Sequence, residues 1–284
     1  MMNNNRRDFS GKTHRPARAD SSPRPAQTPV LEDDEQDDSG IIAGRNPVIE
    51  ALKSARPIDT LFVNPEATGS VGLIISMAKE RGVVVKDAQD RKLSELCGGA
   101  SHQGVVAIAA CAAYVTVEDI LAIAAQKDED PFIVICDEIS DPHNLGAVIR
   151  TAEGCGAHGV IIPKRRSASL NSTVYKTSAG AASWLPVARV ANIPAVLDLL
   201  KKNGVWIYGT DAAGTDYTET DLTGAAAFVI GSEGFGMGRL VREKCDFLLR
   251  LPMQGKITSL NASVAAGIFL YEALRQRTNK AKQR

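Results

Sequence analysis

The fold is decided by the stretch Ala226-Ala-Phe-Val-Ile-Gly-Ser-Glu-Gly-Phe-Gly-Met-Gly238 and by two segments after it, Phe247-Leu-Leu-Arg-Leu-Pro-Met253 and Gly255-Lys-Ile-Thr-Ser-Leu-Asn-Ala-Ser263. The two apolar segments predict buried strands, and each strand runs straight into a loop of glycine and small polar residues. Such loops expose backbone N–H and C=O groups, and glycine lets the backbone approach a ligand closely. Ligands of open α/β sheets bind at the carboxyl ends of the strands, so we expect a small polar cofactor to bind here.

Apolar segments alternate with helical ones from Phe132 onward, which predicts an α/β fold with a mostly parallel sheet covered on both faces. Near-continuous apolar strands are typical of such burial. The predicted strands are Phe132–Cys136, Gly159–Ile162, Pro186–Val190, Val205–Thr210, Ala226–Ile230 and Phe247–Leu251. The predicted helices are Asn144–Cys155, Ser172–Ala179, Ile193–Lys202, Gly238–Lys244 and a last one from about Asn261 to Arg277.

Residues 40–113 predict a smaller α/β unit. Its first helix is expected to begin at Asn46-Pro47, since asparagine caps helices and proline suits the first helical position. Two polar loops, Gly44-Arg-Asn46 and Ser101-His-Gln-Gly104, are either RNA-gripping loops or ordinary caps and turns. Residues 114–130 predict a linker with a helix capped by Thr116, and residues 131–284 form the larger unit.

Residues 1–39 are rich in Asn, Arg, Ser, Pro and Asp and almost lack aliphatic residues, which predicts a disordered tail. The net charge of the whole chain is zero, but it averages a basic arm at residues 1–24 with an acidic spacer at residues 32–38. The tail is therefore either an arm that contacts RNA or a solvated segment without a specific role.

The composition indicates a globular protein without membrane spans, disulfide bonds or a metal site. The 284 residues are 44% apolar, which is normal for a globular protein with a sizeable core, and no apolar run is long enough to predict a membrane span. The five cysteines are scattered, with no Cys-x-x-Cys or His/Cys cluster, so neither a disulfide framework nor a metal site is expected. These features favour a cytoplasmic, reduced protein.

Asn144 and Arg150 follow the first strand of the larger unit, within Asp137-Glu-Ile-Ser-Asp-Pro-His-Asn-Leu-Gly-Ala-Val-Ile-Arg-Thr151. An asparagine and an arginine beside a strand end can bind a phosphate or a ribose hydroxyl. The alternative is a helix capped by Asn144 that carries a surface arginine.

Glu233 distinguishes the glycine loop at residues 231–238 from phosphate-binding loops. The loop has neither the G-x-G-x-x-G spacing of dinucleotide sites nor the lysine of a Walker motif. A carboxylate would repel a phosphate, so the loop suits a cationic or hydroxyl-rich ligand better; the alternative is a surface turn. Ser259 and Asn261 begin the next helix, where they act as caps, ligand contacts or both.

Three consecutive cations, Lys164-Arg-Arg166, follow a predicted strand, and Lys176 lies downstream. They form a candidate phosphate patch on the same strand-end side as the loop before Asn144, which favours a nucleic acid as partner. A solvated loop is the alternative.

Three motifs, in their order and spacing, resemble those of the SpoU (TrmH-like) branch of the SPOUT superfamily of RNA ribose 2′-O-methyltransferases. They are Asn144-Leu-Gly-Ala-Val-Ile-Arg-Thr151, Gly231-Ser-Glu-Gly-Phe-Gly-Met237, and Leu251-Pro-Met253 ahead of Ser259-Leu-Asn-Ala-Ser263. The segments Lys164-Arg-Arg-Ser-Ala-Ser169 and Ile42-Ala-Gly-Arg-Asn-Pro-Val48 are most similar to the bacterial enzymes that methylate a guanosine of 23S rRNA.

The resemblance implies a sheet whose C-terminal segment forms a deep trefoil knot, with S-adenosylmethionine bound in the knot. It implies methyl transfer to a ribose 2′-hydroxyl, most similar to that of a 23S rRNA guanosine, by a homodimer whose active site draws on both chains. Residues 40–113 would then bind the RNA substrate, and residues 131–284 would be the catalytic domain. A tRNA ribose methyltransferase, a non-catalytic RNA-binding protein and an enzyme with another donor are the alternatives, although the last would need a glycine fingerprint after Cys136.

The resemblance also implies roles for individual residues. The implied cofactor-binding residues are Thr210, Gly231, Leu251, Leu260 and Asn261. The implied catalytic residues are Asn144, Arg150, Glu233, Ser259 and Asn261. The candidate RNA contacts are Arg45, Lys164, Arg165, Arg166 and Lys176. A guanidinium has a pKa above about 12 and so stays protonated at neutral pH, which makes it a poor general base. We therefore expect Arg150 to orient the ribose or its phosphate. The identity of the general base stays open.

Overall fold

Two β-sheets organise the residues that the computed structural model describes, 40–54 and 57–282. These residues belong to one compact unit. The first sheet draws on residues 41–109 and the second on residues 132–250. The tail predicted to be disordered, residues 1–39, lies outside the described residues.

The first sheet and its helices are built from seven elements. They are β1 (Ile41–Ala43), α1 (Arg45–Lys53), β2 (Ile58–Val63), α2 (Val71–Glu80), β3 (Val84–Asp87), α3 (Asp90–Leu96) and β4 (Val105–Ala109). The strand order is β1-β4-β2-β3, with β4 antiparallel to β1 and β2, and β2 parallel to β3. The apolar faces of α1 and α2 pack on one side of this sheet through Val48, Leu52 and Ile74, while Leu93 of α3 packs against Val106.

Gly44, rather than Asn46, is the N-cap of α1, so the predicted cap is wrong by two residues. Gly44 has a φ of 95°, which other residues rarely adopt, and a Cβ there would lie 3.3 Å from the carbonyl oxygen of Ser101. The backbone geometry of the turn therefore sets the start of the helix, and Asn46 and Pro47 lie in its first turn.

The segment predicted as a linker carries α4 (Val117–Gln126), which begins with the expected Thr116 cap. Thr116 Oγ1 accepts the N–H of Asp119, and the Asp119 carboxylate accepts the N–H of Thr116 in return. Ile120 is fully buried against the second sheet, where it fills the space that a side chain at Gly159 would need. The linker helix is therefore part of the core of the larger half.

The second sheet is wholly parallel. Its elements are β5 (Phe132–Asp137), α5 (Pro142–Gly154), β6 (Gly159–Pro163), α6 (Ser172–Thr177), β7 (Val187–Val190), α7 (Ile193–Lys202), β8 (Trp206–Asp216), β9 (Ala226–Gly231), α8 (Arg239–Glu243), β10 (Phe247–Arg250) and α9 (Ala262–Lys282). The strand order is β10-β8-β9-β5-β6-β7. The mostly parallel α/β sheet predicted from the alternation of segments is confirmed. Its carboxyl edge gathers the loops after β5, β8, β9 and β10.

Two elements differ from their prediction in ways that shape the site. β8 continues to Asp216 because a register shift after Leu248 lets Leu249 pair with Thr215. Helix α5 begins at Pro142 with Asp141 as its N-cap, since the Asp141 carboxylate accepts the N–H of His143. The predicted cap, Asn144, is instead a buried residue within the helix.

A buried ion pair fastens the two sheets together. Arg189 Nη1 on β7 donates to Asp59 Oδ1 on β2 at 2.7 Å and to the Asp59 carbonyl at 3.1 Å. The Tyr114 hydroxyl donates to the same Oδ1 at 2.8 Å and accepts the N–H of Leu170 at 2.9 Å. Burial raises the pKa of Tyr114, as does the neighbouring Asp59 carboxylate. The Tyr114 ring also faces the Arg189 guanidinium, so the contact is packed as well as charged.

Candidate active site

A cavity of about 410 Å³ opens at the carboxyl ends of β8, β9 and β10. Its floor is apolar, with Ile230, Leu249 and Phe269. Its walls contain six of the residues predicted for the cofactor and for catalysis: Thr210, Gly231, Glu233, Leu251, Ser259 and Leu260. The three glycine-rich and polar segments singled out in the sequence therefore meet at one place.

The glycine loop is a tight hairpin. Ser232 and Gly236 exchange two backbone hydrogen bonds, of 3.0 and 2.9 Å. A Cβ at Gly231 would lie 2.4 Å from the carbonyl carbon of Gly236, so no other residue fits at this strand end. The hairpin leaves Phe235 at its tip with 97% of its surface exposed.

Asp137, at the end of β5, holds the far end of this loop. Its Oδ2 accepts the N–H of Gly238 at 2.7 Å. The carboxyl group is buried, and burial raises its pKa, while the hydrogen bond from Gly238 works in the opposite direction. The loop is thus fixed at both ends, and only its tip projects.

Asn144, Glu233 and Asn261 form one hydrogen-bonded cluster. Glu233 Oε1 accepts from Asn144 Nδ2 at 2.9 Å and from Asn261 Nδ2. Asn261 Nδ2 also donates to Asn144 Oδ1 at 2.9 Å. The other side-chain atom of Asn261, Oδ1, accepts the N–H groups of Ser263 and Val264, so Asn261 caps α9 as expected. Within the described residues no group donates to Glu233 Oε2.

A second cavity, of about 420 Å³, adjoins the first. The two share Ser232, Glu233, Gly234 and Ala262, so Glu233 lies in their common wall. The lining of the second cavity also includes Asn144, Phe235 and an ion pair of 2.9 Å between Glu138 Oε1 and Arg166 Nη2.

Arg150 is not brought to either cavity. It is exposed on α5 and has no hydrogen bond or ion pair with any described residue. Gly154 lies one turn further along the same face, and a Cβ there would lie 3.8 Å from the Tyr271 hydroxyl of α9. Tyr271 and Val264 on α9 are 55% and 52% exposed. Arg150 therefore lies beside an exposed, partly apolar face of α5 and α9.

The predicted RNA contacts lie in two places. Lys164, Arg165 and Arg166 are exposed after β6, and Arg166 alone of them lines the second cavity; Lys176 is exposed on α6. Arg45, in the smaller half, donates through Nε to the Gln103 carbonyl at 3.0 Å. The two polar loops at residues 44–46 and 101–104 are thus neighbours. They contain turns, and together they form one surface.

Asp211, Glu138 and Phe235 are among the lining residues that were not singled out from the sequence. Asp211 follows the predicted end of β8 and lines the first cavity. The hydrogen bond from Arg242 Nε holds the pKa of the Asp211 carboxyl below its ordinary value. The available signals were an aspartate directly after a strand and an aromatic residue inside a polar glycine loop.

Neither a metal centre nor a membrane-spanning element is found in the described ranges. Residues 40–54 and 57–282 contain no group of three or more His, Cys, Asp or Glu side chains placed to hold a metal ion. No helix in that part of the chain is long and apolar enough to cross a bilayer.

Comparison with known proteins identifies the family of the chain. Residues 131–271 match the SpoU rRNA methylase family, and residues 41–115 match the substrate-binding domain of RNA 2′-O-ribose methyltransferases. Over 238 residues the chain is 48% identical to YacO of Bacillus subtilis, which is assigned to the TrmH family of tRNA/rRNA methyltransferases; the match covers 83% of this chain and 95% of YacO. This chain belongs to the TrmH (SpoU) family of RNA methyltransferases. That family uses S-adenosylmethionine as the methyl donor.

Solved structures of RNA methyltransferases share the fold. The AdoMet-bound rRNA methyltransferase of Sinorhizobium meliloti is 28% identical, with a TM-score of 0.53, and the match covers 83% of this chain and 86% of that one. The SpoU methyltransferase AviRb of Streptomyces viridochromogenes, in complex with AdoMet, is 26% identical, with a TM-score of 0.54 and coverage of 84% and 90%. The resemblance of the three motifs to the SpoU branch is therefore confirmed.

Proposed function

We propose that this TrmH-family protein transfers a methyl group from S-adenosylmethionine to the 2′-hydroxyl of a guanosine in 23S rRNA. The observation that carries the proposal is the position of Glu233 in the wall between two cavities. One cavity holds the donor and the other receives the acceptor nucleotide. The reacting atoms then meet beside the cluster of Asn144, Glu233 and Asn261.

The first cavity fits the methyl donor. Its apolar floor suits an adenine ring, and Thr210, Gly231 and Leu251 line the cavity around it. Asp211, held charged by Arg242, suits a ribose hydroxyl or an ammonium group. Bound there, S-adenosylmethionine supplies an electrophilic methyl group on a cationic sulfur, which is compatible with the Glu233 carboxylate in the wall.

The path of the chain around this cavity supports the proposed trefoil knot. β10 lies at one edge of the sheet, and the segment after it lines the cavity with Leu251, Met253 and Leu260. The chain then enters α9, which packs against α5 near the middle of the sheet. The segment therefore passes the ends of β8 and β9 between these two points.

Glu233 is the group that accepts the proton of the attacking hydroxyl in this proposal. Its Oε1 is held by two asparagine side chains and, at 3.4 Å, by the N–H of Ala262. Those donors fix the carboxylate, so Oε2 keeps one orientation in the common wall. A base fixed in this way needs no reorganisation when the hydroxyl arrives. Ser259, in the wall of the donor cavity, is a further contact to the reacting groups.

Arg150 completes the site from a second subunit. A single chain leaves it exposed beside Tyr271 and Val264, outside both cavities. A two-fold dimer formed through α5 and α9 gives this apolar face a partner and brings the guanidinium to the site of the other chain. There it clamps the phosphate or ribose of the acceptor nucleotide, for which its two-pronged geometry is suited.

The smaller half, residues 40–113, is the RNA-binding domain of the proposal, and residues 131–284 are the catalytic domain. Support comes from the exposed cations of residues 164–166 and Lys176, and from Arg45 beside the loop at residues 101–104. The buried Asp59–Arg189 pair fixes the two halves relative to each other, so that both can contact the same RNA molecule.

The experiment that tests this function is a methylation assay with labelled S-adenosylmethionine on purified 23S rRNA, 16S rRNA and tRNA. The expected result is incorporation into 23S rRNA alone, resistant to alkaline hydrolysis at one position because the ribose lacks a free 2′-hydroxyl. Labelling of tRNA instead would show that tRNA, rather than 23S rRNA, is the substrate. Donor binding with no transfer to any of the three RNAs would leave a non-catalytic RNA-binding protein.

A further inference from the structure

We infer that the second cavity holds the acceptor base itself, flipped out of the RNA, with Phe235 as its stacking surface and Glu138 as the residue that selects guanine. The inference rests on the proposed function and gives that function its base specificity. It follows from three features of the cavity: an exposed aromatic tip, a paired carboxylate and guanidinium, and the shared wall with the donor cavity.

Phe235 is the first feature. A phenylalanine exposed over 97% of its surface has no folding role in this chain, and the tight Ser232–Gly236 hairpin holds it at the rim of the cavity. Enzymes that act on a buried nucleotide extrude it and stack the base on an aromatic side chain. The same hairpin carries Glu233, so a base stacked on Phe235 leaves its ribose near the proposed proton acceptor.

The pair of Glu138 and Arg166 is the second feature. The two side chains meet at 2.9 Å, and both line the cavity. Both residues have a left-handed backbone, with φ of 61° and 57°, although neither is glycine. Such conformations are costly and are found where ligands are clamped. The loop of Arg166 is tied to that of Glu138 by the Ala168 N–H, which donates to the Ile139 carbonyl at 2.8 Å.

The chemistry of this pair matches one base. Guanine places two adjacent donors, N1–H and N2–H, beside the acceptor O6. A carboxylate accepts both donors, while a neighbouring guanidinium donates to O6. Adenine and cytosine present a ring nitrogen lone pair where the carboxylate needs a donor, and uracil has one ring N–H only. Glu138 beside Arg166 therefore favours guanine over the other three bases.

The test uses three RNA hairpins that carry guanosine, inosine or adenosine at the methylated position, with wild-type protein and the variants Glu138→Gln, Phe235→Leu and Phe235→Tyr. Inosine keeps N1–H and O6 but lacks the N2 amino group. We expect wild-type kcat/KM to fall from guanosine to inosine to adenosine. Glu138→Gln should reduce the preference for guanosine over adenosine by about fivefold to 100-fold, the range of a bidentate base contact.

Phe235→Leu should raise the KM for every hairpin by about fivefold to 100-fold, whereas Phe235→Tyr should restore it because tyrosine also stacks. Donor affinity and melting temperature should stay at wild-type values in all three variants. The matched control is Leu240→Ala, an exposed apolar residue of α8 that lines neither cavity. Arg165→Ala supplies a second comparison: loss of this neighbouring cation should weaken all hairpins equally, while Arg166→Ala should weaken the guanosine and inosine hairpins, which share O6, more than the adenosine hairpin.

A second readout does not depend on methyl transfer. Phe235→Trp introduces a tryptophan whose fluorescence adds to the wild-type background. Quenching of this added fluorescence by the trinucleotides UGU, UIU and UAU reports stacking of the base on the residue. Binding of the three with equal affinity, or wild-type preference in Glu138→Gln, overturns the inference. Loss of methyl transfer to every RNA with the UGU preference intact would contradict the proposed function and leave the base site standing.

Discussion

The side-chain amide of Asn144 donates to Glu233 Oε1 at 2.9 Å, although 89 residues separate the two in the chain. Asn261, which lies 28 residues beyond Glu233, donates to the same oxygen. Each asparagine comes from a different motif, so the cluster forms only when the ends of β5 and β9 and the start of α9 are in place. The carboxylate at its centre is therefore the position at which a conservative change should be most informative.

Glu233→Gln should reduce methyl transfer by about 10²- to 10⁴-fold, the contribution of a positioned base. The amide keeps the size of the side chain and can still accept from Asn144, so the melting temperature should change little. Single-turnover assays measure the chemical step directly. The matched control is Glu243→Gln on α8, an exposed carboxylate paired with Arg239, which should keep the wild-type rate. A Glu233→Gln enzyme with a normal single-turnover rate would remove the carboxylate from proton transfer.

Mixed dimers test the placement of Arg150 in the partner's site. Arg150→Ala and Glu233→Gln should each be nearly inactive alone. After unfolding and refolding of an equal mixture, about a quarter of the wild-type rate should return, because half of the dimers are mixed and each has one complete site. No recovery, in a mixture shown by mass spectrometry to contain mixed dimers, would place Arg150 and Glu233 in the site of the same chain.

Tyr271→Asp should convert the protein to a monomer and abolish methyl transfer. The substitution places a charge in the exposed face of α9, which the second subunit buries in the proposed dimer. Burying an unpaired charge is costly. Light scattering at micromolar concentration measures the mass, and calorimetry should show that donor affinity falls less than activity. Leu240→Asp, at a residue that is also 55% exposed but lies on α8, should leave the mass unchanged. A dimeric Tyr271→Asp protein would move the interface elsewhere.

Asp59→Ala should lower the free energy of unfolding by about 3–5 kcal/mol, because it leaves the buried Arg189 guanidinium without its carboxylate. The double variant Asp59→Leu with Arg189→Met should recover most of this loss, since both charges are gone. Urea titrations measure all three proteins. For comparison, Glu243→Ala breaks an exposed pair and should cost less than about 1 kcal/mol. A double variant as unstable as the single one would show that packing, rather than charge, holds the sheets together.

His158 should make the protein less stable in mild acid. Its Nδ1 accepts the N–H of Phe132 at 3.0 Å and its Nε2 pairs with Glu129 at 3.0 Å, so the neutral ring is the one that fits. Burial lowers the pKa of His158 below its ordinary value of 6.5, and the Glu129 carboxylate opposes this shift in part. The unfolded chain thus binds a proton that the folded chain does not. Stability should be fully present above pH 6.5 and decline below it.

His158→Gln should flatten this decline, whereas His143→Gln, at an exposed histidine, should not. Thermal melts between pH 5 and pH 8 provide the comparison. An unchanged slope in His158→Gln would assign the acid sensitivity to carboxylates.

Sequence patterns predicted the strands and loops of the larger half because apolar runs and glycine are local signals. The six-stranded parallel sheet and a ligand site at its strand-end loops followed from them, whereas the roles of Gly231, Leu251 and Leu260 were implied only by the resemblance to the SpoU branch. The hydrogen bond of Asn144 to Glu233 could not be predicted, because its partner is remote in the chain, and Asn144 was taken as a possible cap although Asp141-Pro142 is the stronger helix start. Glu138 was missed for the same reason: its partner, Arg166, lies on another loop. Arg150 acts, in our proposal, on a surface that a single chain does not complete.

The first cavity draws its lining only from residues 210–269, whereas the smaller half is built from residues before 110. Ribosomes release a chain from its N-terminus, and domains generally fold in that order. During synthesis, the half proposed to bind RNA is therefore complete well before the residues that line the donor cavity have been added. If that half binds ribosomal RNA as proposed, translation products that stop early would occupy the substrate without modifying it and would compete with the finished enzyme.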